Sequence, residues 1–205
     1  LYSPDHFPLA VDRYTTHPGR DASGNPYSED DPAYYSFRFG PLPGGTGDTG
    51  DMANVRAAID FLIHEGRNRA PFMLYLPLSM PHPPYCAPEP YHNMYDPSDL
   101  PPLRPAGLLD KPDYHQLIRR YRRLEELPSG FMEKIQAIYL GMCSYADWML
   151  GEMLAALDEA GLADETTVVA TSDHGDWAGD YGLVEKWPSA LDDAITRVPL
   201  IVRTP

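Results

Sequence analysis

Apolar residues recur at helical spacing along the longest regular stretch of the chain. Ile135, Ile138, Met142, Tyr145, Met149, Met153 and Leu157 follow one another at three or four residues, which predicts a helix from about Met132 to Ala160, ended by Gly161. Methionines on that face suit core filling. A second stripe, Val55, Ile59, Leu62 and Ile63, predicts a helix capped by Asp51 and stopped near Gly66. Pro71 opens PFMLYLPLS, a short apolar run bounded by prolines that predicts a buried strand. Further buried strands are expected at 166–171, in parallel pairing, and at 198–203. A short helix is expected over Tyr114–Leu127, its RRYRR cluster forming a solvated face balanced by Glu125 and Glu126. Residues 1–48 are rich in Pro, Gly, Tyr and Asp, without periodicity, and predict an irregular surface excursion. Helices alternating with strands predict an α/β class, a layered sheet flanked by helices. Residues 1–50 would be an irregular part of the same domain as 51–205.

Composition narrows the function classes. The 205 residues are 43% apolar, with a net charge of −14, which argues against a nucleic-acid groove and against adhesion to an anionic membrane. An anionic substrate would be repelled at long range, so binding one requires local positive charge from a metal or a placed lysine. Cys86 and Cys143 are too few for a disulfide framework or a zinc cluster. The chain begins at Leu1 and ends two residues after an expected core strand, which reads as a piece of a longer protein.

Candidate chemistry sits at the strand ends. Asp173 and His174 close the 166–171 strand, at the edge where open α/β sheets place ligands. A carboxylate oxygen and an imidazole nitrogen suit a divalent cation, and further oxygen ligands would favour calcium or magnesium over zinc. The same pair could equally cap the next turn and hydrogen-bond within the loop. His82 ends the 71–79 strand between Pro81, Pro83 and Pro84, a stiff setting for proton donation or simply a filled surface corner. Lys186 lies beyond Gly179 and Gly182, where the loop can fold back to set an ammonium against an oxyanion, or form a surface ion pair with Asp192 or Asp193.

The order of these signals is more specific than any one of them. PFMLYLPLSMPHPPY, then YLGMCSYADWMLGEMLAALDEAGLADETTVVATSDHGD, then GDYGLVEK and RVPLIVRTP resemble the sulfatase family of the alkaline phosphatase-like superfamily over residues 51–205. The resemblance implies sulfate-ester hydrolysis with an anionic sulfate ester as substrate. It implies that Asp173 and His174 ligate a divalent metal, usually Ca2+. His82 would contact the ester and help protonate the leaving alcohol, and Lys186 would hold a sulfate oxygen. Tyr181 stands where the family often has His in its G-D-H-G segment, and it is not assigned a catalytic role.

The family's formylglycine arises from a C-x-P-x-R or S-x-P-x-R motif, with acidic metal ligands further upstream. Neither feature occurs in these residues; CAPEP has Pro90 in place of Arg and follows the His82 strand instead of preceding it. The expectation is the C-terminal part of a sulfatase catalytic domain, hydrolysing esters poorly or not at all by itself. A phosphonate monoester hydrolase or phosphodiesterase of the same superfamily is one alternative, and a non-catalytic metal-binding remnant is another. A periplasmic or secreted setting is favoured over a cytoplasmic one.

Overall fold

A computed structural model describes residues 24–66, 71–187 and 190–205. The part of the irregular segment that falls on residues 1–23 lies outside the described residues. Over 24–49 the chain makes a 3-10 turn at Pro32–Ser36 and short parallel bridges from Arg38 to Tyr85 and from Leu42 to Pro88.

Helix α1 spans Gly50–His64 and buries Met52, Val55, Ala58, Phe61 and Leu62. Its cap is Thr49, whose hydroxyl accepts the Met52 N–H, and not Asp51. Asp51 is instead buried and reaches across space, its carboxylate accepting the N–H groups of Ser79 and Met80 at 2.8–3.0 Å. A carboxylate that satisfies two amides of another segment, the Met80 one buried, is worth more there than at a helix end. Ile63 is 37% exposed, so the buried face turns through Phe61 and Leu62 and leaves Ile63 out.

Helix α2 spans Tyr114–Tyr121 and breaks at Arg123, whose φ of 57° leads into a 3-10 turn at Leu124–Glu126. Helix α3, Phe131–Glu159, is the spine of the fold. Its expected stripe holds: Ile135, Met142, Tyr145 and Met149 are fully buried, and Ile138 and Leu157 nearly so. α1 packs along it, and the Tyr91–Asn93 turn crosses it at Gly141, where any side chain would overlap the Tyr91 carbonyl.

Strand β1, Val168–Thr171, pairs with β2, Leu200–Arg203, in an antiparallel ladder running from Val168 opposite Arg203 to Thr171 opposite Leu200. The expected parallel pairing is therefore replaced: the charged loop and a short helix α4, Asp193–Thr196, turn the chain back on itself. Nor are the strands buried on both faces; Val169, Leu200, Ile201 and Val202 are all more than half exposed. Residues 71–79 run extended with alternating exposure but belong to no strand among the described residues. A ladder needs a neighbour to take its N–H and C=O groups, and no such neighbour flanks this segment among them. Its inward side chains still pack, Phe72 and Leu74 on the α1–α3 end, Leu76 and Leu78 on the main core.

Two contacts hold the segments after β1. Gly175 donates to the Ile195 carbonyl of α4 at 2.7 Å, and a Cβ on it would overlap the Ala194 carbonyl. Asp192, just ahead of α4, accepts from His115 Nε2 at 2.8 Å, Tyr114 Oη at 3.0 Å and Lys111 Nζ at 3.1 Å. Burial alone would raise the Asp192 carboxyl, but the three donors outweigh it and hold it below the ordinary carboxylate range.

Gly175→Ala is expected to destabilise the fold by about 1–3 kcal/mol through backbone overlap, read from urea denaturation. A depressed carboxyl contributes stability that is present above its unfolded pKa and is lost as pH falls through the folded one. Asp192→Asn should therefore lower the melting temperature at neutral pH and flatten the acid limb of the stability curve; an unchanged acid limb would remove Asp192 from that transition.

Candidate active site

A cleft of about 440 Å³ opens between the end of the 71–79 segment and the end of β1. Its wall carries Leu78, Met80, Pro81, His82 and Pro83 on one side, Ser172 to Asp176 on the other, and Tyr139 of α3. Three of the four residues singled out from sequence, His82, Asp173 and His174, line the cleft, and the fourth, Lys186, reaches it through His82. The rings of His82 and His174 stand edge to face with centroids 5.8 Å apart. The Lys186 ammonium lies 2.7 Å from His82 Nε2.

The hydrogen bonds assign the tautomers. His174 Nδ1 lies 2.9 Å from the Gly175 carbonyl, which can only accept, so Nδ1 carries a proton. The other nitrogen, Nε2, is directed at Asp173 Oδ1, 3.7 Å away. That is too long for a hydrogen bond but matches the edge between two ligands on one cation with bonds of about 2.4 Å. Asp173 is 86% exposed at its side chain, with Oδ1 anchored by the His174 N–H at 2.9 Å. The pair thus offers one oxygen and one nitrogen lone pair, chemistry that fits a divalent cation. Among the described residues no third His, Cys, Asp or Glu joins them. Two ligands are fewer than the six to eight that calcium takes.

His82 is organised in the same way. Nδ1 faces the Pro83 carbonyl at 2.7 Å, leaving Nε2 as acceptor from Lys186. The main chain is held nearby by the Asp51 carboxylate on Ser79 and Met80, and His82 N–H donates to the Ser79 carbonyl at 2.7 Å. Lys186 makes no pair with Asp192 or Asp193; besides His82 it sees Glu185 Oε1 at 3.5 Å.

Several participants were not anticipated from sequence. Arg122, expected on a solvated face, is 7% exposed. Its guanidinium donates to the Val184 carbonyl at 2.9 Å and Glu185 Oε2 at 2.8 Å, and it stacks over Phe37 and Trp187. The arginine cluster carried the charge signal, but nothing in it distinguished the one inward-facing member. Tyr85 and Asp176 also belong here: the Tyr85 hydroxyl donates to Asp176 Oδ1 at 2.6 Å. Burial pushes the Asp176 carboxyl up, against the Tyr85 and Ala178 hydrogen bonds that favour its charge. Tyr181 is buried away from the cleft, its ring under Lys111 and Arg104 and beside His115. Cys86 is fully buried and donates to the Pro84 carbonyl. Burial pushes the Cys143 thiol up to about 11.

Comparison with known proteins gives the family and the fold. Residues 10–205 match the Sulfatase family profile. The chain is 34% identical to the multifunctional alkaline phosphatase superfamily protein PehA of Trinickia caryophylli, over 68% of this chain and 30% of that protein. It is 31% identical to arylsulfatase K of Bos taurus, over 76% of this chain and 31% of the relative. The phosphonate monoester hydrolase of Agrobacterium radiobacter superposes with a TM-score of 0.63 at 26% identity, covering 80% of this chain and 34% of that one. These likenesses give the fold as part of an α/β, alkaline phosphatase-like domain. The chain spans about a third of the length of the curated relatives it matches, and it belongs to the sulfatase family.

Proposed function

We propose that this chain supplies the anion-holding and leaving-group half of a sulfate-ester hydrolase. The observation that carries the reading is that His82, Asp173 and His174 line one cleft while the Lys186 ammonium contacts His82. Asp173 and His174 would hold a divalent cation, Ca2+ as the sulfatase resemblance implies, which when bound supplies positive charge to the tetrahedral anion. Lys186, a compact ammonium on a flexible stem, holds an ester oxygen while the negative charge grows. His82 Nε2 accepts from Lys186; protonated there from solvent, the imidazolium gives that proton to the departing alcohol oxygen. The family's nucleophile motif does not occur in the 205 residues. Cys86 is buried outside the cleft, so no attacking group is assigned here.

Phosphonate monoester hydrolysis is the second reading, favoured by solved hydrolases of that class at TM-scores of 0.63 and 0.60. Both substrates present a tetrahedral anion to the same residues. A homologue-like extracytoplasmic setting accompanies either reading, and no described helix is long and apolar enough to cross a membrane.

In the full-length protein, turnover of 4-nitrophenyl sulfate against phenyl phosphonate monoesters separates the two readings. Lys186→Ala is expected to lower kcat/KM about 100-fold on the preferred ester, the scale of losing one oxyanion-stabilising donor; unchanged kcat/KM would remove Lys186 from the anion site. Neither cysteine should react with a thiol-specific disulfide reagent at pH 8 until denaturant is added, because Cys86 is enclosed and Cys143 stays protonated. Rapid labelling of the native protein would contradict both environments.

A further inference from the structure

Glu185, the residue before Lys186, has a φ of +62°. Left-handed backbone at a non-glycine residue costs energy and persists only where the surroundings hold it. Here the hold has named parts. The Glu185 N–H donates to the Tyr85 hydroxyl at 2.7 Å, and its carbonyl accepts the Trp177 N–H at 3.2 Å. Its carboxylate is taken by Arg122 at 2.8 Å.

Tyr85 is the member with least freedom. It is fully buried, so its hydroxyl must both donate and accept within the protein. The single hydroxyl proton goes to Asp176 Oδ1 at 2.6 Å. Asp176 can only accept there, so the oxygen lone pairs are left for the Glu185 amide. The chain Asp176–Tyr85–Glu185 therefore has one sense and joins three segments: the loop after β1, the loop bearing His82, and the loop bearing Lys186.

We propose that Tyr85 is a positioning residue for Lys186: its hydroxyl, clamped between the Asp176 carboxylate and the Glu185 amide, keeps Glu185 left-handed and so fixes the Lys186 ammonium against His82. This rests on the reading of Lys186 as the holder of an ester oxygen. Tyr85 does not line the cleft; it acts through the backbone it holds. Phenylalanine at 85 would keep the ring in the core while stranding the Glu185 amide and leaving Asp176 Oδ1 with the Ala178 N–H.

The test is a double-mutant cycle in the full-length protein, with 4-nitrophenyl sulfate or a phenyl phosphonate monoester as probe, whichever is turned over. Tyr85→Phe is expected to lower kcat/KM about 10-fold, as for loss of one buried hydrogen bond. In a Lys186→Ala background the same substitution should change kcat/KM by less than about 2-fold, because the two act as one unit. A merely structural tyrosine would give equal losses in both backgrounds, and that additivity would overturn the proposal, as would full activity of Tyr85→Phe. If Lys186→Ala itself costs nothing, the reading of Lys186 fails first and the positioning role falls with it. Should Tyr85→Phe not fold, as judged by thermal unfolding, the cycle is run with Glu185→Gly, which releases the strained link directly. Its loss must likewise vanish without Lys186, and additive losses would again overturn the proposal.

Discussion

One buried hydroxyl joins segments that the chain keeps far apart. Tyr85 bonds Asp176 and Glu185, 91 and 100 residues away in sequence, and is itself fully enclosed. In a low-dielectric interior a polar group without partners is costly, so the tyrosine, the aspartate and the amide stabilise one another only when all three loops are in place. The cleft is the open end of that arrangement. His82 lies three residues before Tyr85, His174 two before Asp176, and Lys186 directly after Glu185. Each of these three side chains is thus a short, stiff step from a group whose position is fixed by burial.

The rest of the fold supplies the floor. α3 buries its stripe under the cleft and contributes Tyr139 to its wall, and α1 sends Asp51 across to the amides ahead of His82. Asp192, with His115, Tyr114 and Lys111, ties α2 to the segment ahead of α4. Gly175, whose missing side chain lets the loop sit on α4, fixes the second wall. Two of these devices, Asp51 and Asp192, are acidic residues that satisfy donors of distant segments.

Periodicity made α3 and α1 legible, because a buried helix face writes itself into spacing that no tertiary detail can hide. The same rule has no purchase on pairing. β1 and β2 are both short apolar runs, and whether they lie parallel or antiparallel depends on how the intervening loop and α4 turn, which spacing does not encode. The 71–79 run reads as a strand for the same local reasons, yet a strand exists only with its neighbour. Asp51 looked like a helix cap because Thr49 and Asp51 are both good caps locally; the choice was made by amides near Met80. At the cleft, the order of PHPPY, SDHGD and the lysine loop pointed to His82, Asp173, His174 and Lys186. Tyr85, Asp176 and Arg122 carried no comparable signal, since a tyrosine, an aspartate and one arginine among several look the same on a surface as in a network.

Electrostatics explains why, on the proposed reading, Lys186 rather than overall charge attracts an anion. The chain carries a net charge of −14, but at physiological salt exposed charges are screened beyond about 8 Å, so the groups at the cleft decide. Glu185 is the nearest threat to Lys186, since an adjacent carboxylate would otherwise capture the ammonium. Arg122 binds one carboxylate oxygen at 2.8 Å, and the ammonium sits closer to His82 at 2.7 Å than to the other oxygen at 3.5 Å. A neutral imidazole is a weaker partner than a carboxylate. On the proposed reading, an ammonium parked on Nε2 turns to an incoming oxyanion at lower cost than one locked in an ion pair, and in turning it exposes Nε2 to the leaving group.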